Sequence, residues 1–395
     1  MFLKIVKKSF IVTKIKNIIY AIIYEIYDVV TWLVILNKRP ENANKKLLIV
    51  RVDEIGDYML WHNFLKEIVE KFDDYSIDFC GNSACKSIFN AFDEQGIDNA
   101  IWLDKQLFTS SLVYRYKFLK NIYLQHYDVV INARYARERI SDDTIVKAAS
   151  AKQAFGMDGK VKIDNERHNS KLYTHMLNFN KKSLFEFYKN QLFTEFVTNT
   201  PSKVKSTLIS FENLPVNLQA LPTNYFVVFT GARSPEKIWP TANFIDVANY
   251  IYKITGGTAV VCGGPGDVAY ASPFITGYKN PCIDLTAKTS LTEMLTILKT
   301  ARCLISVDTG SVHLAAAVGC AVFGIFNGSH FKRFAPYPKE IAEDFFAIYP
   351  DEIENDCANE EVVENKYQHV IDIPYSNVTA EKVIEQINFN KHVLN

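Results

Sequence analysis

The residues best suited to chemistry follow a short apolar run over 304–307. Asp308 comes directly after this run, and Thr309, Gly310 and Ser311 come next. Short apolar runs are typical of strands that are buried on both faces, so the pattern predicts a strand that delivers a carboxylate to a tight turn. The hydroxyl of Thr309 or Ser311 is suited to cap a helix that follows.

The alanine-rich residues 312–318 predict that helix, which Gly319 would end. The start of a helix presents free N–H groups and the positive end of its dipole, which favours an anion such as a phosphate. His313 adds an imidazole at the same place, and a further strand is expected over 321–326. The segment therefore predicts strand, turn, helix and strand, with a phosphate site at the turn.

Asp308 has two other possible interpretations. An isolated Asp-Thr-Gly can serve only as a turn cap. Aspartic proteases also use this tripeptide, but they need a second carboxylate that shares a proton with the first. The sequence has no second Asp-Thr-Gly or Asp-Ser-Gly, and an alanine-rich helix follows the first. A protease is therefore disfavoured.

A second strand, glycine turn and helix occur near the start of the chain. The apolar residues 46–52 predict a strand, Gly56 lies in the turn, and a helix is expected to run to about Lys71. Asp57 lies at the tip of this loop, where open α/β sheets place their chemistry. Asp53 and Glu54 are competing carboxylates, and Asp57 could instead only cap the helix.

Further units of this kind fill the second half of the chain. A strand over 225–229 leads to Thr230, Gly231 and Lys237, and a helix is expected over 241–254. Another strand begins at Ala259 and leads into a glycine-rich turn that contains Gly263 and Gly264. That turn alone is a weak phosphate signal, because it lacks the spacing of the known glycine fingerprints.

Composition sets further bounds. The chain has 395 residues, of which 48% are hydrophobic, and its 44 basic and 44 acidic residues balance. This balance gives no indication of nucleic-acid binding. The seven cysteines form no Cys-x-x-Cys pair, which favours a reducing cytoplasm and disfavours a disulfide framework or a zinc site. No metal site is predicted.

Three arginines follow the strand expected over 127–132. Among them, Arg134 and Arg137 are suited to hold an acidic acceptor. A solvated charged face is the alternative.

Residues 1–46 read as an extension with a linker at its end. Five lysines precede the first acidic residue, and apolar residues then recur on one face of a predicted helix. Asp28 and Thr31 fall on the opposite face. The run is too short and too charged to span a membrane, and it has no signal-peptide cleavage site. Residues 1–36 could lie in a membrane interface or pack on the protein or on a second subunit.

Four of these segments, taken in order, resemble the signatures of glycosyltransferase family 9, the heptosyltransferase family of lipopolysaccharide core assembly. They are Ile55-Gly56-Asp57, Lys237-Ile238-Trp239-Pro240, Gly263-Gly264-Pro265 and the segment from Asp308 to His313. A further segment, 285–291, matches except that Ala287 stands where a glycine is usual. The resemblance implies that Asp57 is the catalytic base, that Lys237 pairs with the nucleotide diphosphate, that Gly263 and Gly264 lie near the nucleoside, and that the segment from Asp308 to His313 binds the nucleotide-sugar.

The resemblance and the repeated strand–helix units imply an α/β protein of the GT-B type, with two Rossmann-like doubly wound domains facing a cleft. We expect an extension over 1–46, an acceptor domain over 47–215, a nucleotide-sugar domain over 216–378 and a C-terminal helix over 379–395. Thr230, Gly231 and the Thr309–Ser311 turn would hold the donor, and Gly56, Arg134 and Arg137 the acceptor.

The expected enzyme is an inverting, metal-independent glycosyltransferase that needs no cofactor besides its donor. The family suggests an ADP-linked heptose as donor and an inner-core glycolipid as acceptor, and another surface glycan is an equally open acceptor. We expect a cytoplasmic protein, at the inner face of the membrane if the extension contacts lipid. A sugar-nucleotide epimerase and a non-catalytic nucleotide- or glycan-binding protein are the alternatives.

Overall fold

The computed structural model describes residues 23, 25–37, 45–158, 172–210 and 221–394. The lysine cluster of the extension and residues 1–22 lie outside this part of the chain, as does the predicted domain boundary after residue 215. That boundary stays a prediction.

The described chain forms two compact units. The first comprises the residues up to Asp53, together with Val69–Ala84 and Gly96–Phe179. The second comprises the chain from Asn180 onward and two earlier segments, Glu54–Ile68 and Cys85–Gln95. The turn that carries Gly56 and Asp57 therefore belongs to the second unit.

The first unit contains a sheet of six parallel strands. These are β1 (Lys46–Arg51), β2 (Ser76–Asn82), β3 (Asn99–Leu103), β4 (Val129–Asn132), β5 (Gln153–Asp158) and β6 (His175–Asn178). Their order is β3-β2-β1-β4-β5-β6, which is the doubly wound order of Rossmann folds. The central strands β1 and β4 are almost wholly buried, as their apolar sequences predicted.

Eight helices lie in the first half of the described chain. They are α1 (25–35), α2 (Ile55–Met59), α3 (Leu65–Lys71), α4 (Lys86–Phe92), α5 (Lys105–Ser110), α6 (Leu112–Leu124), α7 (Asp142–Ala149) and α8 (Glu186–Thr198).

The single helix predicted from the Gly56 turn to about Lys71 was wrong. Helix α2 ends at Met59, and a 3₁₀ turn over His62–Phe64 separates it from α3. The side-chain amide of Asn190 donates a hydrogen bond of 3.0 Å to the carbonyl of Leu60. A carbonyl that is satisfied in this way has no need of the next helical turn.

The second unit contains another sheet of six parallel strands. These are β7 (Tyr225–Phe229), β8 (Thr258–Val261), β9 (Cys282–Asp284), β10 (Cys303–Val307), β11 (Ala321–Ile325) and β12 (Phe345–Ile348). Their order, β12-β11-β10-β7-β8-β9, is the same doubly wound order read from the other edge. The predicted α/β class with two Rossmann-like sheets is thus confirmed.

Seven helices accompany this sheet, α9 (Thr241–Thr255), α10 (Val268–Gly277), α11 (Leu291–Thr300), α12 (Gly310–Ala317), α13 (Asp351–Asp356), α14 (Glu360–Lys366) and α15 (Ala380–Phe389). The last of them, α15, packs on α9 and on the strands β11 and β12. Its buried residues Val383 and Ile387 join the apolar core of the second sheet. Within the described residues, none of the helices has the length and apolar character that crossing a membrane requires.

Candidate active site

A cavity of about 550 Å³ lies within the second unit. The carboxyl ends of its central strands β7 and β10 deliver residues to it, as open α/β sheets usually do. Its wall is formed by Glu54, Ile55, Gly56, Asp57, Phe229, Ala232, Arg233, Ser234, Lys237, Gly266, Asp267, Asp308, Thr309, Gly310, His313, His330 and Phe334.

The turn after β10 forms as the sequence predicted. Thr309 is the N-terminal cap of α12, and its hydroxyl accepts a hydrogen bond of 3.2 Å from the backbone N–H of Ser311. The hydroxyl of Ser311 is also 2.7 Å from that of Ser306, which is buried in the strand. The first turn of α12 is therefore anchored to β10, and its start lies on the cavity wall.

Lys237 and Asp308 form an ion pair on this wall. The Nζ atom of Lys237 is 2.5 Å from a carboxylate oxygen of Asp308. The lysine side chain is 30% exposed, so its ammonium group is reachable from the cavity. The ammonium group of Lys237 and the N-terminus of α12 thus lie together at the end of β10, an arrangement suited to binding a phosphate.

Helix α2 packs against α12 through two glycines. A β-carbon at Gly56 would lie 2.5 Å from Cδ2 of His313, and one at Gly310 would lie 3.4 Å from Cβ of Ile55. Gly56 is therefore required by the close approach of the imidazole, since atoms at 2.5 Å overlap. This contact holds Asp57, the next residue of α2, at the cavity wall.

His313 is buried, and its Nδ1 atom lies 2.7 Å from the hydroxyl of Tyr337. Burial lowers the pKa of His313 to about 4, although the charge of Asp308 acts in the opposite direction. The imidazole is therefore neutral near pH 7 and acts as a hydrogen-bonding group.

The three carboxylates that competed for the role of base have different surroundings. Asp53 is buried in the first unit, 3.1 Å from the guanidinium of Arg51. Glu54 pairs at 2.5 Å with Arg233 on the cavity wall. Asp57 is half-buried and lines the cavity.

The predicted glycine-rich elements lie around the side chain of Asp267. Its carboxylate accepts a hydrogen bond of 2.8 Å from the backbone N–H of Gly264. A β-carbon at Gly231 or Gly263 would clash with the same side chain. Asp267 lines the cavity, whereas these three glycines and the buried Thr230 are not among the residues that form its wall. Burial raises the pKa of Asp267, and the Gly264 bond opposes that shift.

The two arginines expected to bind the acceptor are buried in the first unit. Arg134 pairs with Asp142 at 2.9 Å and with Glu138 at 2.8 Å. Although burial opposes the shift, the charge of Arg134 lowers the pKa of Glu138 to about 2. The alternative of a solvated charged face therefore does not hold at this position.

Arg137 is held in the same way. It pairs with Asp143 at 2.8 Å, donates to the carbonyl of Met157, and lies over the ring of Tyr173. Both guanidinium groups thus have internal anionic partners, and their role in acceptor binding stays a prediction.

Among the residues of the cavity wall that sequence reasoning did not single out are Arg233, Asp267, His330 and Phe334. The ring of Phe334 lies between the two imidazoles, 6.3 Å from His313 and 6.0 Å from His330. Burial, together with the charge of Arg333, lowers the pKa of His330 to about 4. Its backbone is left-handed, with a φ of 55°, a conformation that no sequence pattern here had indicated.

Within the described residues, no group of three or more His, Cys, Asp or Glu side chains is arranged to hold a metal ion.

The family model for glycosyltransferase family 9 (heptosyltransferase) matches residues 115–362. The chain belongs to this family. It is accordingly a glycosyltransferase. The two alternative interpretations, a sugar-nucleotide epimerase and a non-catalytic binding protein, are therefore not supported. The matched residues include Lys237, the glycine-rich turn and the segment from Asp308 to His313.

A curated relative of the family 9 chain is lipooligosaccharide heptosyltransferase 2 of Haemophilus influenzae. The two are 23% identical over 294 residues, which cover 71% of this chain and 82% of the relative.

Two solved structures share the fold. One is a glycosyl transferase family 9 protein from Veillonella parvula, with a TM-score of 0.65 and 18% identity over 90% of this chain and 98% of that one. The other is the E. coli heptosyltransferase WaaC with ADP, with a TM-score of 0.62 and 17% identity over 87% of this chain and 99% of that one. These likenesses support the two-sheet fold.

Proposed function

We propose that this family 9 enzyme moves a heptose or heptose-like sugar from an ADP-linked donor to a lipopolysaccharide-core glycolipid or a related surface glycan. The reaction would invert the configuration at the anomeric carbon and would need no metal. The observation that carries the proposal is the Lys237–Asp308 ion pair at the start of α12, in a cavity that Asp57 also lines.

The donor diphosphate would bind where Lys237 and the Thr309–Ser311 turn meet. Lys237 would leave Asp308 and pair with a phosphate oxygen, and the N–H groups at the start of α12 would donate hydrogen bonds to the other phosphate oxygens. Such groups stabilise the charge that develops on a leaving diphosphate, which a metal ion does in other enzymes. The ADP in the solved structure of WaaC supports the choice of nucleotide.

Asp57 would act as the general base. The oxygen of the acceptor hydroxyl attacks the anomeric carbon while Asp57 takes its proton, and the bond from that carbon to the diphosphate oxygen breaks. Attack from the side opposite the leaving group inverts the configuration. His313, which is neutral near pH 7, would contribute hydrogen bonding and no positive charge.

We assign the donor to the predicted domain 216–378 and the acceptor to 47–215. Gly56 allows the backbone of α2 to approach the site closely. Arg134 and Arg137 remain the proposed acceptor contacts, with the consequence that an acceptor phosphate must compete with Asp142 and Asp143. A glycolipid acceptor would place the enzyme at the cytoplasmic face of the membrane.

A transfer assay tests this function. Purified enzyme would be incubated with ADP-, GDP- or UDP-linked sugars, with and without a truncated lipopolysaccharide acceptor. We expect free ADP to be released only when the acceptor is present, and the product to carry the anomeric configuration opposite to that of the donor. Activity should survive a chelator. Retained configuration or loss of activity on chelation would refute the corresponding part of the proposal.

A further inference from the structure

Helix α1 is bound to the first unit by a side that carries both polar and apolar residues, among them the buried Tyr27, Val30 and Val34. The hydroxyl of Tyr27 donates to the carbonyl of Thr109, and the ring of Tyr27 lies 4.0 Å from the guanidinium carbon of Arg115. Asp28 pairs with Arg139. The helix is therefore fixed in its rotation about its own axis.

The same side of α1 also carries buried residues near its centre and end. Thr31 is buried, and its hydroxyl donates to the carbonyl of Tyr27 at 2.9 Å. Val34 is buried in the apolar core of the first sheet. The hydroxyl of Tyr123 on α6 donates to the carbonyl of Ile35 at 2.9 Å, which secures the end of the helix.

This orientation leaves a second row of apolar residues on the outward side of α1. Its exposed residues follow helical spacing, with Val29 54% and Leu33 45% exposed, and they are Ile26, Val29, Leu33 and Leu36. Trp32 borders them and is 57% exposed. The inner side of α1 already buries Val30 and Val34, so this second apolar row is left exposed by the first unit and indicates another apolar surface as its partner.

The sequence before α1 indicates which kind of surface the exposed apolar residues of α1 contact. Ile15, Ile18 and Ile22 continue the same helical spacing, and the lysines at 4, 7, 8, 14 and 16 precede the first acidic residue of the chain. Lysines beside an apolar helical face are attracted to anionic lipid headgroups.

We propose that the outward face of α1, formed by Ile26, Val29, Trp32, Leu33 and Leu36, inserts into the headgroup region of an anionic membrane. The indole of Trp32 is suited to the boundary between headgroups and acyl chains. The proposal rests on the proposed membrane location but not on the proposed chemistry, so lipid binding and catalysis can be tested separately.

The test compares two double variants of the full chain. Val29→Asp/Leu33→Asp places two charges on the outward face. The matched control, Val370→Asp/Phe389→Asp, changes two apolar residues of the second unit that are 64% and 80% exposed. Deletion of 1–36 is a poorer test, because it would also uncover the core that Val34 fills.

Flotation would use vesicles of phosphatidylcholine with phosphatidylglycerol, and vesicles of phosphatidylcholine alone. We expect the unsubstituted chain and the control to float with the anionic vesicles, and the α1 variant to partition at least about tenfold more weakly. Binding should weaken as salt is raised, because the lysine charges are screened. Equal flotation of all three proteins would overturn the proposal.

Two further measurements separate the remaining outcomes. Brominated phosphatidylcholine in the anionic vesicles should quench the fluorescence of Trp32, and Trp32→Phe should abolish that quenching while keeping flotation. If the α1 variant instead changed a dimer into a monomer with flotation intact, the face would serve a second copy and the proposal would fail. ADP affinity should be the same in all variants, so a failure of the transferase assay would not be mistaken for a failure of lipid binding.

Discussion

Replacing Lys237 by alanine is the sharpest test of the donor site. Its Nζ atom is 2.5 Å from Asp308 and faces the cavity, so the substitution removes the cation that we assign to the diphosphate. The ion pair is partly exposed, and its loss should shift the melting temperature by less than about 4 °C. The fold should therefore survive.

The size of the effect follows from two opposing contributions. A hydrogen bond to a charged group is worth about 1.5–3 kcal/mol, which corresponds to about 10- to 100-fold in affinity. Lys237 must first leave Asp308, which reduces the net gain. We therefore expect ADP to bind about tenfold more weakly to Lys237→Ala. Turnover should fall further, because the leaving diphosphate carries more charge in the transition state.

Calorimetry with ADP and AMP would measure this effect. If Lys237 contacts the terminal phosphate of ADP, the substitution should weaken the binding of ADP and leave the affinity for AMP nearly unchanged. Lys288→Ala is a matched control, since Lys288 also pairs with an aspartate, at 3.1 Å from Asp284, but lies outside the cavity wall. Unchanged ADP affinity in a folded Lys237→Ala protein would refute the assignment.

The other predictions concern the base and its support. Asp57→Asn should lower turnover by about 10²–10⁴ with donor affinity nearly unchanged, and near-normal turnover would exclude the base role. Gly56→Ala should lower both melting temperature and turnover, since its β-carbon would lie 2.5 Å from His313, whereas Gly266→Ala, which meets nothing within 4 Å, should not change the melting temperature. Because burial depresses the pKa of His313 to about 4, the unfolded state binds the proton more readily between that pH and about 6.5. Unfolding free energy should therefore fall as pH drops through this window, and the fall should be smaller in His313→Gln.

Much of the second sheet could be predicted because its signals are local. Strand β7 has the predicted bounds, Tyr225–Phe229, and Thr309 caps α12 as its hydroxyl indicated. In each case an apolar run ends at a polar or small residue. The residues that determine where the strand or helix begins and ends therefore lie within a few positions of that boundary.

Two of the four edge strands, β6 and β12, were not predicted in this way. Strand β6 consists of His175–Asn178 with both ends exposed, and its sequence shows no apolar alternation. It forms because β5 offers a parallel partner with free hydrogen-bonding groups. Strand β12, Phe345–Ile348, was missed as well, although it is a short apolar run that pairs with β11.

The orientation of α1 on the protein could not be predicted from the sequence either. The sequence separates an apolar face from a polar one, but it does not say which face meets the protein. Specific polar contacts decide that, such as the Asp28–Arg139 pair and the contact of Tyr27 with Thr109. The residues of the cavity wall that the sequence missed, such as Arg233 and His330, have the same origin, because distant loops bring them together.

The motif residues are linked by packing as well as by chemistry. Thr309 fixes the start of α12, and α12 carries His313 against Gly56. Asp57 follows Gly56 in α2, so its position depends on a contact made by the helix that begins at Gly310. A catalytic base displaced by about 1 Å can lose about 10²-fold in rate. We therefore expect the glycine and the histidine to place the carboxylate of Asp57, the proposed base, without taking part in the transfer of the proton.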